Sequence, residues 1–281
     1  MQRPIVSIIV PTKNSSKTIE GCLNSIKNQT YPNIELIVVD NFSTDETQKI
    51  AKKYTKHVFS KGPERSAQVN FGVSQSQGKY VYKVDSDFIL DKNIVKECVE
   101  LCNKGADAVV VHNTPDETIS QIAKIRKFEV DMYKYNLNHS SARFVRKDLY
   151  EKIGGFNSEI TAGEDYDFQN KLNREGAKIS FAKAEALHLG EPKYLIKHLI
   201  KYYEYGKDFN NYSKHTDNSE KKVQIGFFRS IYFNNWKKFI KHPVIATEFI
   251  VYNFLKYLFG GTGYLVGKIK NNKWKNKQQY S

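Results

Sequence analysis

Asp85-Ser86-Asp87 sets two acids one residue apart where the strand-like run 80–84 ends. Hard divalent cations take oxygen ligands, and Mg²⁺ binds one or two carboxylates together with substrate phosphates. The plainer reading of these acids is a solvated turn. Glu164-Asp165 follows Thr161-Ala162-Gly163 and opens a helical pattern. A carboxylate there either complements the helix dipole or acts as a general base held on a rigid element. Neighbours on a helix diverge by about 100°, so only one of the two is expected to reach a reacting atom. Asp40 and Asp45 stand in the polar stretch 40–45; Asp40 suits hydrogen bonds from a base or ribose, and Asp45 suits a helix cap. Arg65, in Gly62-Pro63-Glu64-Arg65-Ser66, carries a planar fork that fits phosphate oxygens or a surface carboxylate.

These residues need a scaffold, and the first half of the chain supplies an alternation of strands and helices. Residues 6–10 form an apolar run broken at Pro11, the pattern of a buried strand running into a loop. Ile19, Cys22, Leu23 and Ile26 share one helical face, and residues 34–39 make a second strand. Ser43-Thr44-Asp45-Glu46 has the spacing of a capping box, which predicts a helix beginning there. Further segments follow: a strand at 57–59, a helix at 66–76, a strand at 79–84, a helix at 93–103 and a strand at 108–112. Past Thr118 the pattern predicts a long helical stretch, a turn at Gly154-Gly155, a helix at 164–175 and a strand at 178–181. Short buried strands joined by helices imply a largely parallel sheet covered on both faces, with ligands bound beyond the carboxyl ends of the strands.

In this order, Val10-Pro11-Thr12-Lys13-Asn14, Val38-Val39-Asp40-Asn41-Phe42-Ser43-Thr44-Asp45, Asp85-Ser86-Asp87, Gly154-Gly155-Phe156 and Glu164-Asp165 resemble the family 2 glycosyltransferases, inverting enzymes of the GT-A fold, across residues 6–188. The resemblance implies an α/β fold with a Rossmann-related, mixed but mostly parallel sheet flanked by helices. It implies that Pro11, Thr12, Asn14, Asp40 and Asp85 hold the nucleotide of a nucleotide-diphosphate sugar, with Arg65 a candidate for the phosphates. It further implies that Asp87 binds Mg²⁺ or Mn²⁺ on the diphosphate, that His188 matches a metal-binding histidine, and that Asp165, with Glu164 beside it, is the catalytic base. Asn41 and Phe42 depart from the family, which often has Asp and Gly there. The Gln-x-x-Arg-Trp signature of processive synthases is absent, since neither Trp236 nor Trp274 follows an arginine. One sugar per encounter is therefore expected.

Composition separates the two parts of the chain. Its 281 residues, 40% hydrophobic and 26% charged, exclude a disulfide-stapled miniature and wholesale disorder. Cys22, Cys98 and Cys102 are too scattered for a disulfide framework and are expected as reduced packing residues. Of the net charge of +14, residues 193–281 hold an excess of 12, with 17 Lys/Arg against 5 Asp/Glu. A catalytic domain over 1–192 and a basic, aromatic-rich helical extension over 193–281 are expected. Within 244–266 the apolar run is interrupted by Glu248 and Lys256, which argues against a crossing helix. Aromatics interleaved with lysine suit a helix in the headgroup region of an anionic membrane. The start of the sequence has no apolar leader, so a cytoplasmic, peripherally membrane-associated enzyme acting on a polyprenyl-linked acceptor is expected. Two rivals stand beside this reading. A metal-dependent nucleotidyltransferase would use the same acids, and a nucleic-acid-binding protein would use the basic tail but would find the acidic loops repulsive to phosphate.

Overall fold

The computed structural model describes residues 3–215, 217, 226 and 229–279. The chain divides into two compact units, one of residues 1–114, 134–158 and 165–190, the other of 115–133, 159–164 and 191–281. The second unit thus joins two segments from the first 192 residues to the basic stretch.

The first unit is built on a seven-stranded sheet of order β3-β2-β1-β4-β8-β6-β9. Its strands are β1 (Val6–Thr12), β2 (Ile34–Asp40), β3 (Val58–Ser60), β4 (Tyr80–Lys83), β6 (Ala108–Val110), β8 (Phe144–Arg146) and β9 (Ile179–Phe181). β1 pairs in parallel with β2 and β4, β2 with β3, and β6 with β9; β8 alone runs antiparallel, between β4 and β6. The sheet is therefore mixed and mostly parallel. Side-chain alternation along β1 gives each face a core. Val6, Ile8 and Val10 pack with α1 (Ile19–Lys27) and α4 (Ile94–Asn103), whereas Ile9 packs with α3 (Arg65–Ser74) and α7 (Glu164–Arg174). Cys22, Cys98 and Cys102 are buried, unoxidised members of the first core. Burial pushes the Cys102 thiol up to about 12, as expected of packing residues rather than reactive ones.

Three short strands form a second sheet of order β5-β10-β7, from β5 (Phe88–Leu90), β7 (Asn113–Pro115) and β10 (Ala186–His188). Neither these nor β8 stood out in the sequence. The predicted capping box is corrected. Helix α2 (Thr47–Ala51) starts at Thr47, and Ser43 lies in the preceding loop. Asp45 takes the capping part, accepting from the Thr47 and Ser16 amides. The long helical stretch after Thr118 reduces to α5 (Gln121–Val130), capped by the Ser120 hydroxyl, and α6 (Lys147–Lys152) follows β8.

In the second unit α5 joins α8 (Leu195–His215), α9 (Ser230–Asn234), α10 (Trp236–Lys241) and α11 (Pro243–Gln279). Ile122, Ile125, Met132, Ile231, Phe249 and Tyr252 form its core. Lys256, expected to meet lipid headgroups, instead points inward. Its ammonium is 2.8 Å from Glu129 and lies over the rings of Tyr202, Tyr252 and Tyr257. Burial raises the Glu129 carboxyl, but Lys256 and Arg229 outweigh that and hold it at about 2.

Candidate active site

The carboxyl ends of β1, β2 and β4 carry the polar loops that the sequence singled out. Gln68 on α3 ties two of these ends together, donating from its side-chain amide to the carbonyls of Thr12 and Val39. Pro11 is buried within β1 opposite Val39. Thr12 Oγ1 is buried with no hydrogen-bond partner.

The loops after β1 and β2 lock into each other. The Asn14 amide donates to Ser43 Oγ, and Asn14 Oδ1 accepts from the Thr44 amide at 2.9 Å. Asn14 adopts φ 48° to do so, a left-handed conformation that asparagine tolerates. Asp40 is fully buried and accepts from the Ser43 amide, the Ser43 hydroxyl and the Gln48 side-chain amide. A carboxylate offers about four lone-pair directions, so Asp40 first organises its loop and has little capacity left for a base. Phe42 sits at φ 49° and is 66% exposed. The backbone of the loop thus keeps the conformation that glycine would favour, with a phenylalanine in it.

Beside these loops lies a charge cluster only partly legible in the sequence. Lys83, the last residue of β4, is buried, with its ammonium 2.9 Å from Asp165 and 3.9 Å from Asp85. Arg143 bridges the same two acids, at 2.7 Å to Asp85 and 3.4 Å to Asp165. Arg65 opens α3, 3.7 Å from Asp85. Burial alone would raise both carboxyls. Lys83, then Arg143 and Arg65, outweigh it, so Asp165 is held at about 2 and Asp85 well below the usual carboxylate range. Both are therefore anions at neutral pH. Asp85 Oδ1 is buried and accepts no hydrogen bond. Lys83 was missed because a lysine inside an apolar strand reads as an interruption, and that interruption beside two acids was the available signal. Arg143 stands in a stretch with no periodic pattern to mark it.

The Gly154-Gly155 turn explains how Asp165 is set. Both glycines take positive φ, 73° and 61°, where a side chain is strained. Asn70 of α3 holds the turn, its Oδ1 accepting from the Phe156 amide and the Tyr150 hydroxyl. Phe156 then stacks on Phe168 of α7, centroids 4.3 Å apart, and lies beneath the Lys83 ammonium. Asp165 is the second residue of that helix, and the buried Glu164, its first, falls in the other compact unit.

Asp87 and His188 are brought together by the small sheet. β10 pairs antiparallel with β5, with His188 opposite Phe88, and His188 Nε2 lies 3.3 Å from Asp87 Oδ2. A Cβ on Gly190 would overlap Asp87 Oδ2 and lie 2.8 Å from His188 Nε2. Glycine thus leaves open the space beside both donor atoms. An oxygen and an imidazole nitrogen facing one small space fit a divalent ion such as Mn²⁺. Among the described residues no three His, Cys, Asp or Glu side chains gather into a metal site. An ion here would take its other ligands from substrate or water.

Residues 7–154, just over half of the chain, match the family described as Glycosyl transferase family 2; Asp165 and His188 lie beyond that match. An uncharacterised glycosyltransferase of Rickettsia prowazekii is 27% identical over 192 residues, 61% of this chain and 59% of its own length. Glycosyltransferase AglE of Haloferax volcanii is 26% identical over 197 residues, 64% of each chain. The match thus spans less than two thirds of either relative. Among solved structures, the mannosyltransferase PcManGT from Pyrobaculum calidifontis, in complex with GDP-Man and Mn²⁺, aligns at a TM-score of 0.62, covering 98% of this chain and 88% of that one at 17% identity. At that identity the likeness is one of fold, here the GT-A fold of the glycosyltransferases.

Proposed function

This chain belongs to glycosyl transferase family 2, and on that premise we propose that it transfers one sugar from a nucleotide-diphosphate sugar to an acceptor hydroxyl with inversion at the anomeric carbon. The observation that carries the proposal is that Lys83 and Arg143 join the anionic Asp165 of α7 to Asp85 at the carboxyl end of β4, with Asp87 of the Asp87–His188 pair two residues farther along the same loop. The nucleotide is assigned to Pro11, Thr12, Asn14 and Asp85, with Thr12 Oγ1 and Asp85 Oδ1 the buried acceptors that a ribose or base would satisfy. Asp40 supports that site by ordering its loop, and Arg65 is assigned to the diphosphate. Asp87 and His188 would hold Mg²⁺ or Mn²⁺, which when bound neutralises charge growing on the departing diphosphate. PcManGT is in complex with GDP-Man and Mn²⁺, which supports a divalent cation here.

Asp165 acts as general base. As the acceptor oxygen bonds to the anomeric carbon, the bond from that carbon to the diphosphate breaks and the hydroxyl proton passes to the Asp165 carboxylate. Glu164 points about 100° away along the helix, which leaves the proton to Asp165. The acceptor is assigned as a polyprenyl-linked glycan or lipid, met at the cytoplasmic face of a membrane, because a soluble acceptor gives no reason for so basic an extension. Asp165→Asn should retain donor binding by calorimetry while transfer falls by about a hundredfold or more. Near-normal transfer by that variant would remove Asp165 from the chemistry.

A further inference from the structure

Helix α11 has two apolar sides, and among the described residues the protein covers only one of them. Its inner side packs along α8 and α5 through Ala246, Phe249 and Tyr252, and farther on through glycines. A Cβ on Gly263 would overlap the Tyr203 carbonyl oxygen, and one on Gly206 of α8 would overlap that of Gly260. The two backbones therefore touch. Polar groups are also turned inward, since Asn253 and Lys256 are both buried.

The outer side carries what an ordinary surface helix hides. Val244, Val251, Phe254, Leu258, Leu265 and Ile269 are each at least half exposed. Their spacing of 7, 3, 4, 7 and 4 residues keeps them within one stripe, and only Thr247 and Thr262 interrupt it. From Val244 to Ile269 the stripe runs about 38 Å at the helical rise. Helix α10 leads into it with exposed Trp236 and Ile240 beside exposed Lys237 and Lys241. Small residues between helices with large apolar residues outside is the arrangement of helices packed in lipid. No helix among the described residues is long and apolar enough to cross a membrane.

We propose that the outer stripe of α11, with Trp236 and Ile240, lies in the headgroup region of an anionic bilayer, embedded along its length rather than crossing it. Charge selects this partner over a second copy of the chain. The extension's excess of 12 positive charges would face its own like across a self-interface, whereas anionic headgroups attract basic residues by about 1 kcal/mol each near the surface. Apolar burial supplies the part of the attachment that salt does not screen. The inference rests on the membrane-presented acceptor assigned above, but its test reads binding alone, so each can fail without the other.

Full-length protein is sedimented with phosphatidylcholine vesicles, with and without phosphatidylglycerol, at low and high salt. Wild type should bind the anionic vesicles at low salt and keep a bound fraction at high salt. The double variant Phe254→Glu/Leu258→Glu, with both changes on exposed positions, should keep its thermal transition and lose at least tenfold in vesicle affinity. Should that variant unfold, Phe254→Ser/Leu258→Ser replaces it, with a smaller loss in the same direction. Wild type that ignores anionic vesicles, or a folded variant that binds them as wild type does, overturns the proposal. So does light scattering that finds a wild-type dimer converted to monomer by the double substitution.

Discussion

At the scale of single residues, Lys83 decides how Asp165 behaves. It is the nearest cation to that carboxylate, and with Arg143 it holds the group at about 2 against a burial that would raise it. The folded value is depressed, so the carboxylate contributes stability above its unfolded pKa and loses it as pH falls through about 2. For the proposed role as base, the same sign means that the Asp165 carboxylate is ionised at any pH where the protein works. Lys83→Met should raise the Asp165 pKa, shift the acid limb of the kcat profile upward, and cost about ten- to a hundredfold in kcat, part of what a positioned base supplies. Lys83→Arg should restore part of both. A variant with lowered kcat and an unmoved acid limb would make Lys83 a packing residue only. Phe42 allows a second test. Its ring is exposed and its φ is 49°, so Phe42→Gly and Phe42→Ala remove the same ring but only glycine relieves the backbone. The glycine variant should be the more stable by about 1 kcal/mol, measured by denaturant unfolding; equal stabilities would contradict the strain. These two residues also mark how far the sequence could be read. Asp85, Asp87 and Asp165 announced themselves as acids at strand and helix ends and Arg65 as a cation, whereas Lys83 and Arg143, which bridge Asp85 and Asp165, did not. Lys83 and Asp165 are 82 positions apart, and no local pattern records such a contact.

At the scale of elements, the long regular pieces were legible, and so were the three-residue β3, β6 and β9, whereas β5, β7, β8 and β10 were not. The apolar runs of β1 and β2 and the helical stripes of α1 and α4 carry enough residues to display a period. β5 and β10 hold three residues each, yet their pairing sets His188 beside Asp87. The capping-box pattern at Ser43 misled for a physical reason. The Ser43 hydroxyl instead accepts from the Asn14 amide in the loop lock, and Asp45 accepts from the amide of Thr47, where the helix begins. The α8–α11 pair depends on glycines in a way that a matched pair of variants can measure. Gly263→Ala forces a methyl group into the Tyr203 carbonyl, while Gly261→Ala meets nothing within 4 Å. The first should lose about 1–3 kcal/mol from overpacking, and the second should be neutral or gain up to about 1 kcal/mol from helix propensity. Similar thermal transitions for the two would contradict the close approach.

At the scale of the whole molecule, charge separates what composition alone could not. The stretch before residue 193 is nearly neutral and the rest strongly basic, and that division was visible without a structure. Invisible was the recruitment of residues 115–133 into the basic unit, where Glu129 meets Lys256 across 127 positions. That pairing turned inward a lysine that the sequence assigned to lipid, and it left the outer stripe of α11 uncharged. The central claim concerns the other unit, where we propose that Asp87 and His188 hold a cation and Asp85 a nucleotide. Its most direct test is calorimetric titration of full-length protein with a panel of UDP- and GDP-sugars, with Mn²⁺ and then with EDTA. At least one donor should bind in the presence of Mn²⁺, and EDTA or Asp87→Ala should each abolish that binding. Donor affinity unchanged by EDTA and by Asp87→Ala, or no binding by any sugar nucleotide, would contradict the account.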